Sequence, residues 1–385
     1  MKKRFLRDIA EIQTGPFGSQ LHKEDYVDVG TPIVTVEHLG SRVFSEQNLP
    51  MVSDADKSRL SKYVLKKGDI VFSRVGSVDR CSFVDQKHDG WMFSGRCLRV
   101  RPSEEVDPLF LYYFFCLNTT KEFVRSIAVG ATMPSINTKL LGEVEVVCPE
   151  IEEQRKIADI LSKIDDKIEE NQKINENLEQ QAKALYQQMF IENTSPDWVE
   201  GSLRDIADIT MGQSPSGSSY NEDGIGAIFF QGRAEFSFRF PTIRLYTTEP
   251  KRMACTNDIL MSVRAPVGDL NIAHTDCCIG RGLAAIHSKT NHQSFVLYTM
   301  FSLRKQLDVF NGEGTVFGSI NRNSLNDMPI LIPSDETIEE FERIVAPIDA
   351  AIRNNYDEIC RLQAIRDTLL PRLMSGELDI SELDI

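Results

Sequence analysis

The sequence predicts an α+β (mixed α/β) protein in which two similar globular domains alternate with two long helices, the whole arranged as an internal pseudo-two-fold repeat. Three observations predict it. A short segment near the N-terminus returns at mid-chain, a longer segment returns after a constant interval, and each copy of the longer segment runs into a sustained heptad pattern.

The short segment is LRDIAEI, from Leu6, against LRDIADI, from Leu203. Each copy reaches a glycine and a Pro- and Ser-containing turn within three residues. The longer one starts at Gly130 (GATMPSINTKLLGEVEVVCP) and again at Gly314 (GTVFGSINRNSLNDMPILIP). With an offset of 184 and no gap, Ser135-Ile136-Asn137 falls on Ser319-Ile320-Asn321, Pro149 on Pro333, and Asn171 on Asn355. A period this long reads as a duplicated domain, not a solenoid. The offset at the N-terminal match is 197, so the second copy is 13 residues shorter between its anchors.

Each copy opens with short β-like runs fenced by Gly, Pro, Asn or Asp: TPIVTV from Thr31, DIVFSRV from Asp69, GAIFFQG from Gly226 and DILMSVR from Asp258. A helical stretch follows near Pro108 and near His292. A last strand then ends at the matched proline. The domains are therefore expected at 1–149 and 196–332, with a long helix at 150–195 and a long helix and tail at 333–385. GEGTVFG, from Gly312, has glycines at the wrong intervals for a phosphate loop and reads as a turn.

In the first helix Ile157, Leu161, Ile164, Ile168, Asn171, Asn175, Leu178, Ala182, Leu185 and Met189 recur at steps of four and three. The second gives Phe341, Val345, Ile348, Ile352, Asn355, Ile359, Leu362, Arg366, Leu369 and Leu373. Such a 3.5-residue period predicts a coiled-coil seam. Antiparallel pairing within the chain would bring Asn171 and Asn355, which share a seam position, close together. Pro347 has no amide donor and should kink or restart the second helix. At 1.5 Å per residue the first seam spans roughly 50 Å, the length of a spacer between two heads.

The chain has 385 residues, 41% hydrophobic and 26% charged, as expected of folded domains. The apolar run LFLYYFFCL, from Leu109, is too short to cross a bilayer, and the N-terminus turns polar before a signal-peptide core could form. No membrane association and a cytoplasmic location are expected. The net charge of −14 is unevenly spread. Residues 1–149 carry 20 Lys and Arg against 19 Asp and Glu, and residues 201–332 carry 12 of each. The acid excess lies in 150–200 (6 against 13) and 333–385 (5 against 13). Neutral heads leave room for a basic face and a nucleic-acid partner.

Catalytic motifs are absent. There is no GxxxxGK[ST], HExxH, DxDxDG or GxSxG, and Glu249-Pro250-Lys251 lacks the preceding Pro-Asp of a nuclease triad. Eight cysteines without CxxC spacing and six scattered histidines predict reduced, mostly buried thiols and no metal site. What remains is a set of polar loops. TGPFGSQLHKEDY, from Thr14, is equivalent to GQSPSGSSYNEDG, from Gly212. Candidate DNA contacts there are Gln13, Thr14, Gly15, Ser19 and Gln20 in the first copy, and Gln213, Ser214, Ser216, Ser218, Ser219 and Tyr220 in the second. Glycine permits close backbone approach, hydroxyls bond phosphate oxygens, and glutamine can pair with an adenine edge. Arg74, Arg80, Arg233 and Arg264, at or just past strand ends, could meet phosphate or guanine.

LRDIADITMGQSPSGSSYN (from Leu203), PEIEEQRKIADILSKIDDKI (from Pro149) and LLPRLMSGELDI (from Leu369) are similar to segments of the specificity (S) subunits of type I restriction–modification systems. The order of block, helix, block, helix agrees along nearly the whole chain. The resemblance implies two target-recognition domains, each reading half of a split double-stranded DNA sequence, with the helices setting the gap. It implies no catalysis and no cofactor in this chain. S-adenosylmethionine belongs to two DNA-methyltransferase (modification) subunits, and ATP and Mg to restriction/translocase subunits where these are present. The two helix ends differ, ALYQQMFIEN against TLLPRLMSGELDI, so the ends need not dock alike. The alternatives are a protein-binding scaffold, or a methyltransferase or nuclease with an unrecognised site.

Overall fold

In the computed structural model, residues 2–16, 18, 20–312 and 318–380 are described. Ser19 and residues 313–317, where the sequence reads as a turn, lie outside them. The chain divides into two compact units, Met1–Asn171 with Asp357–Ile385, and Gln172–Tyr356. The boundary falls inside both long helices, so each unit holds one globular block and one stretch of each helix.

In the first unit LRDI forms a single helical turn, Leu6–Ile9, that buries Leu6 and Ile9 and releases the chain into a strand, Ala10–Thr14. That strand edges an antiparallel sheet ordered Ala10–Thr14, Cys97–Pro102, Ile70–Ser73, Cys81–Phe83. Ile70–Ser73 is buried at all four positions, because the sheet is covered on both faces. Ile70 and Phe72 join the core under the helix Pro108–Cys116, whereas Val71 joins a second core. The second core belongs to a smaller sheet ordered Tyr26–Val27, Met51–Val52, Thr31–Val34, Met92–Phe93, whose last pair is parallel. The apolar run from Leu109 is that buried helix. It starts where Asp107 accepts the amides of Leu109 and Phe110, with Pro108 in the first turn.

The second unit repeats this plan. Leu203–Ile206 turns into Ala207–Met211, which edges a sheet ordered Ala207–Met211, Leu283–Ser288, Ile259–Ser262, Leu270–Ile272. Its smaller sheet has five strands, again with one parallel pair, Phe229 opposite Cys278. In both units a terminal pair closes the block: Lys2–Phe5 with Glu145–Cys148, and Val199–Ser202 with Pro329–Ile332. The repeated Ser-Ile-Asn is framework. Ile136 and Ile320 are buried, and Asn137 and Asn321 cap the short helices that follow by accepting the amides of Leu140 and Ser324.

The long helices are Ile151–Tyr186 and Asp335–Met374. Within each unit their segments run antiparallel. Asp165 meets Arg366 and Asn171 meets Glu358 in the first unit; Asn175 meets Ile352 and Asn355 in the second. Along the seam Ile157, Leu161, Ile168, Val345, Ile352 and Ile359 are buried, and Ile164, Leu178, Leu185, Ile348, Leu362 and Leu369 are half-buried. The seam asparagines bond across the helix pair: Asn171 donates to Glu358 at 2.9 Å, and Asn355 donates to Asn175 at 2.8 Å. One expectation is corrected: the second helix runs unbroken through Pro347. That proline is exposed, and the carbonyl deprived of its amide belongs to exposed Arg343, where water can satisfy it.

Each block is pinned to its helices by a buried polar clamp. In the first unit the Tyr113 hydroxyl donates to Asp165 at 2.8 Å, and Arg366 donates to the other oxygen of the same carboxylate at 2.8 Å. Arg42, from a loop of the block, reaches Glu169 at 2.7 Å and also Asp166. Burial works against its charge, but the bonds to Glu169 and Asp166 raise it above the ordinary arginine value. In the second unit Tyr298 donates to Asp349 at 3.0 Å. Arg239 lies between Glu179 (2.8 Å) and Asp349 (3.0 Å), its side chain 2% exposed. Arg42 and Arg239 are equivalent positions, because the carbonyl of each accepts the amide of a matched strand residue, Phe83 or Ile272.

Asp165→Ala leaves Arg366 and Tyr113 facing an empty site and is expected to cost about 3–5 kcal/mol. Tyr113→Phe, which keeps the ion pair, should cost about 1.5–3 kcal/mol. Urea unfolding of both variants checks the order. The eight cysteines are free. Burial pushes Cys97 and Cys277 up to about 12 and Cys116 to about 11. At pH 8 a thiol near 12 is ionised only to roughly 1 part in 10,000. Exposed Cys360 and Cys255 should therefore label first with a maleimide, Cys255 the slower because Asp258 beside it raises its thiol. Mass spectrometry of the native and urea-unfolded adducts reads the order.

Candidate nucleic-acid interface

In both units four or five loops cross at one place, where the two sheets of a block meet. The strand Ala10–Thr14 ends at Gly15, and a Cβ there would lie 2.1 Å from the Ser94 carbonyl oxygen. Gly212 has the same relation, at 2.1 Å, to the carbonyl of Gly280. Only glycine lets these backbones touch, which explains the repeated glycine after LRDIA(E/D)I. The other loops join through backbone bonds. In the first unit Ser94 donates to Val34, Arg74 to Arg96, and Ile136 to Arg74. In the second, Gly280 donates to Phe230, Val263 to Gly282, and Ile320 to Val263. Single antiparallel bridges, Val75 with Ser135 and Arg264 with Ser319, bring the Ser-Ile-Asn segment to the same crossing.

The sequence candidates fall into different surroundings. In the second unit Gln213 is exposed, and its amide donates to Ile279 at 2.9 Å. The Ser214 hydroxyl accepts the Arg281 amide at 3.2 Å. Arg264 is exposed at the bridge. These three stand at the crossing. Ser216, Ser218, Ser219 and Tyr220 lie further along the same loop. Ser216 and Ser218 share a hydroxyl contact of 2.8 Å. Buried Ser219 donates to the Ser216 carbonyl and meets Thr247, while Tyr220 donates to the Pro215 carbonyl and packs on Phe229. Arg233 faces elsewhere and pairs with Asp269, which also holds Arg304 at 2.7 Å.

In the first unit Gln13, Thr14 and Gly15 run into the crossing, opposite Arg99, Leu98 and Cys97. Gly15 is buried, and the Gln13 amide oxygen is buried without a partner among the described residues. Gln20 accepts from the Tyr63 hydroxyl at 2.7 Å, away from the crossing. Arg74 donates to the Gly95 carbonyl at 3.2 Å, and Arg80 to the Leu39 carbonyl. Ser19 lies outside the described residues.

Sequence reasoning missed three exposed side chains at these crossings: Arg96 in the first unit, and Gln231 and Arg281 in the second. The available signal was glycine beside arginine, in Gly95-Arg96 and Gly280-Arg281-Gly282, since glycines at a crossing mark close backbone contact. Among the described residues no group of three or more His, Cys, Asp or Glu is placed to hold a metal ion, and no helix is long and apolar enough to cross a membrane. The surface offers amide, hydroxyl and guanidinium groups on a rigid base. These are groups suited to phosphates and base edges.

Comparison with known proteins agrees with this arrangement. The family described as type I restriction modification DNA specificity domain matches twice, over residues 1–180 and 196–361. A Methanocaldococcus jannaschii chain named as the type I restriction enzyme MjaX specificity subunit is 30% identical over 400 residues, which cover 98% of this chain and 93% of that one. The type I restriction enzyme HindI specificity subunit of Haemophilus influenzae is 25% identical, covering 83% and 88%. Among solved structures, the type I restriction–modification S subunit from M. genitalium shares the fold, with a TM-score of 0.62 over 97% of this chain and 95% of that one at 17% identity. Two family matches on two blocks of the same topology place the chain in the type I restriction–modification DNA specificity family, as a sequence-recognition subunit without catalytic activity of its own.

Proposed function

We propose that the blocks at 1–149 and 196–332 are target-recognition domains, each laying its loop crossing against one half of a split duplex DNA sequence. The long helices Ile151–Tyr186 and Asp335–Met374 set the gap between the halves. The observation that carries this reading is the repetition of one backbone crossing with different side chains upon it: Gly15 and Gly212 fill the same place, while Pro16 stands where the second block has Gln213. A duplicated framework with divergent tips suits two different words in one linear target. Arginine on guanine and glutamine on adenine would select sequence, and contacts to phosphate would set affinity and make it fall steeply with salt.

The reactions then belong to partners. Two modification subunits would bring S-adenosylmethionine, and restriction/translocase subunits would bring ATP and Mg. The acid excess of the two helices gives these subunits a charged surface to bind. Work on chromosomal DNA places the complex in the cytoplasm of a bacterial or archaeal cell.

Methylome sequencing of cells with and without this gene tests the reading. One motif of two half-sites around a fixed unspecified gap should vanish; loss of a contiguous motif, or of none, would overturn it. Inserting one heptad into each long helix adds about 10 Å. It should lengthen the gap by roughly 3 base pairs, at about 3.4 Å per step, with both half-sites unchanged. New half-sites across an unchanged gap would refute the spacer role.

A further inference from the structure

We infer that Arg281 is a guanine-reading residue of the second block, with Gln213 and Gln231 beside it as candidate adenine readers, and that the first block reads its half-site without a free hydrogen-bonding side chain at these positions. The inference rests on the loop crossing facing DNA. It goes further by naming which block reads in this way, through which residues, and what bases its half-site must contain.

The positional argument comes from the backbone. Arg74 donates to Arg96 where Val263 donates to Gly282, so Arg96 and Gly282 are equivalent, and Arg281 therefore stands where the first block has Gly95. Ser94 donates to Val34 where Gly280 donates to Phe230, which sets Gln231 against Thr35. The matched glycines set Gln213 against Pro16, and the bridges to Ser319 and Ser135 set Arg264 against Val75. At four equivalent positions the second block thus carries Gln, Gln, Arg and Arg, and the first carries Pro, Thr, Val and Gly. Thr35 is the only polar member of the first set, and its hydroxyl bonds Glu37 and His38.

Charge points the same way. The chain holds 57 acidic against 43 basic residues, yet Gly212–Ser214, Phe230–Gly232, Val263–Pro266, Ile279–Gly282 and Gly318–Ile320 contain no carboxylate. Arg264 and Arg281 are exposed with no side-chain partner among the described residues. Elsewhere in the unit Arg233, Arg239, Arg244 and Arg304 are each ion-paired. A free guanidinium among loops without carboxylates, in an acidic protein, suits a polyanion.

Rigidity separates Arg281 from a wandering surface arginine. Its amide is held by the Ser214 hydroxyl, and a Cβ on either flanking glycine, Gly280 or Gly282, would come within 2.8 or 2.9 Å of the Gln231 carbonyl oxygen. The backbone that carries Arg281 is locked to the loops that carry Gln213 and Gln231. Such fixing supports bidentate pairing with guanine O6 and N7, which tolerates little misplacement. The expected half-site therefore contains a G·C pair read by Arg281, with an A·T pair within its span.

The test is the methylome of cells carrying Arg281→Ala, and of cells carrying Arg281→Lys, each beside wild type, with binding of the assembled complex to cognate and G-substituted duplexes. The side chain has no partner to lose, and matched melting curves confirm folding. Arg281→Ala should relax one half-site at a single G·C position and weaken cognate binding about 5- to 150-fold, leaving the other half-site and the gap unchanged. Arg281→Lys should relax the same position, since it keeps the charge but loses the fork. An unaltered motif in Arg281→Ala would overturn the inference. So would a uniform loss across all sequences that Arg281→Lys restores, which marks a phosphate contact. Absence of any bipartite motif in wild type would overturn the functional reading itself, an outcome visible before either variant is made.

Discussion

The seating of each block on its helices depends on a carboxylate held between a tyrosine and an arginine. Asp165 takes the Tyr113 hydroxyl on one oxygen and Arg366 on the other; Asp349 takes Tyr298 and Arg239. Burial, and then the neighbouring carboxylate, hold Tyr113 well above its ordinary range, so it stays protonated and donates. Such clusters contribute little net stability, because removing charges from water offsets most of what pairing gains. Their effect is geometric. An apolar interface between Phe341, Tyr186 and Tyr298 could slide, whereas an arginine held by two carboxylates has few alternative positions. A loop crossing carried on such a base is held in one orientation on its helices.

The repeat divides the residues by what they do for the backbone. Where two chains cross without room for a side chain, the residue is glycine in both copies, as at Gly15 and Gly212. Where a short helix needs a cap under a buried anchor, both copies have Ile-Asn, at Ile136-Asn137 and Ile320-Asn321. Side chains that leave this frame differ freely, because the second block presents Gln213, Gln231, Arg264 and Arg281 from a crossing whose backbone bonds match the first. Framework and tip are separable because the crossing is held by main-chain bonds, which are indifferent to the side chains they display.

Much of this was legible in the sequence. A gapless match carried the repeat, fenced β-branched runs carried the main strands, and the heptad steps carried the helices. The parts that stayed hidden had identifiable causes. Arg42 and Arg239 are single residues inside segments that differ by insertions, so no alignment of the two copies pairs them; only the bonds of their carbonyls to Phe83 and Ile272 do. Gln231 and Arg281 lie at loop corners, where periodicity carries no signal. Pro347 read as a break because the lost hydrogen bond was counted without its exposure. The partners of Asn171 and Asn355 follow from axial register, and a heptad pattern fixes which face pairs but not which rung.

The two clamps also show how a duplicated interface can drift without failing. The residue pairs Asp165 with Arg366 and Asp349 with Ala182 are related by the offset of 184, so the second unit carries alanine where the first has the seam arginine. Ala182 is fully buried there, and the missing guanidinium leaves no unpaired carboxylate because Arg239, from the block, reaches Asp349. In the first unit the equivalent Arg42 is directed to Asp166 and Glu169 instead. An arginine from either side thus satisfies the same buried carboxylate. This redundancy explains how the helix-borne position can differ while the tyrosine and the aspartate stand in both copies.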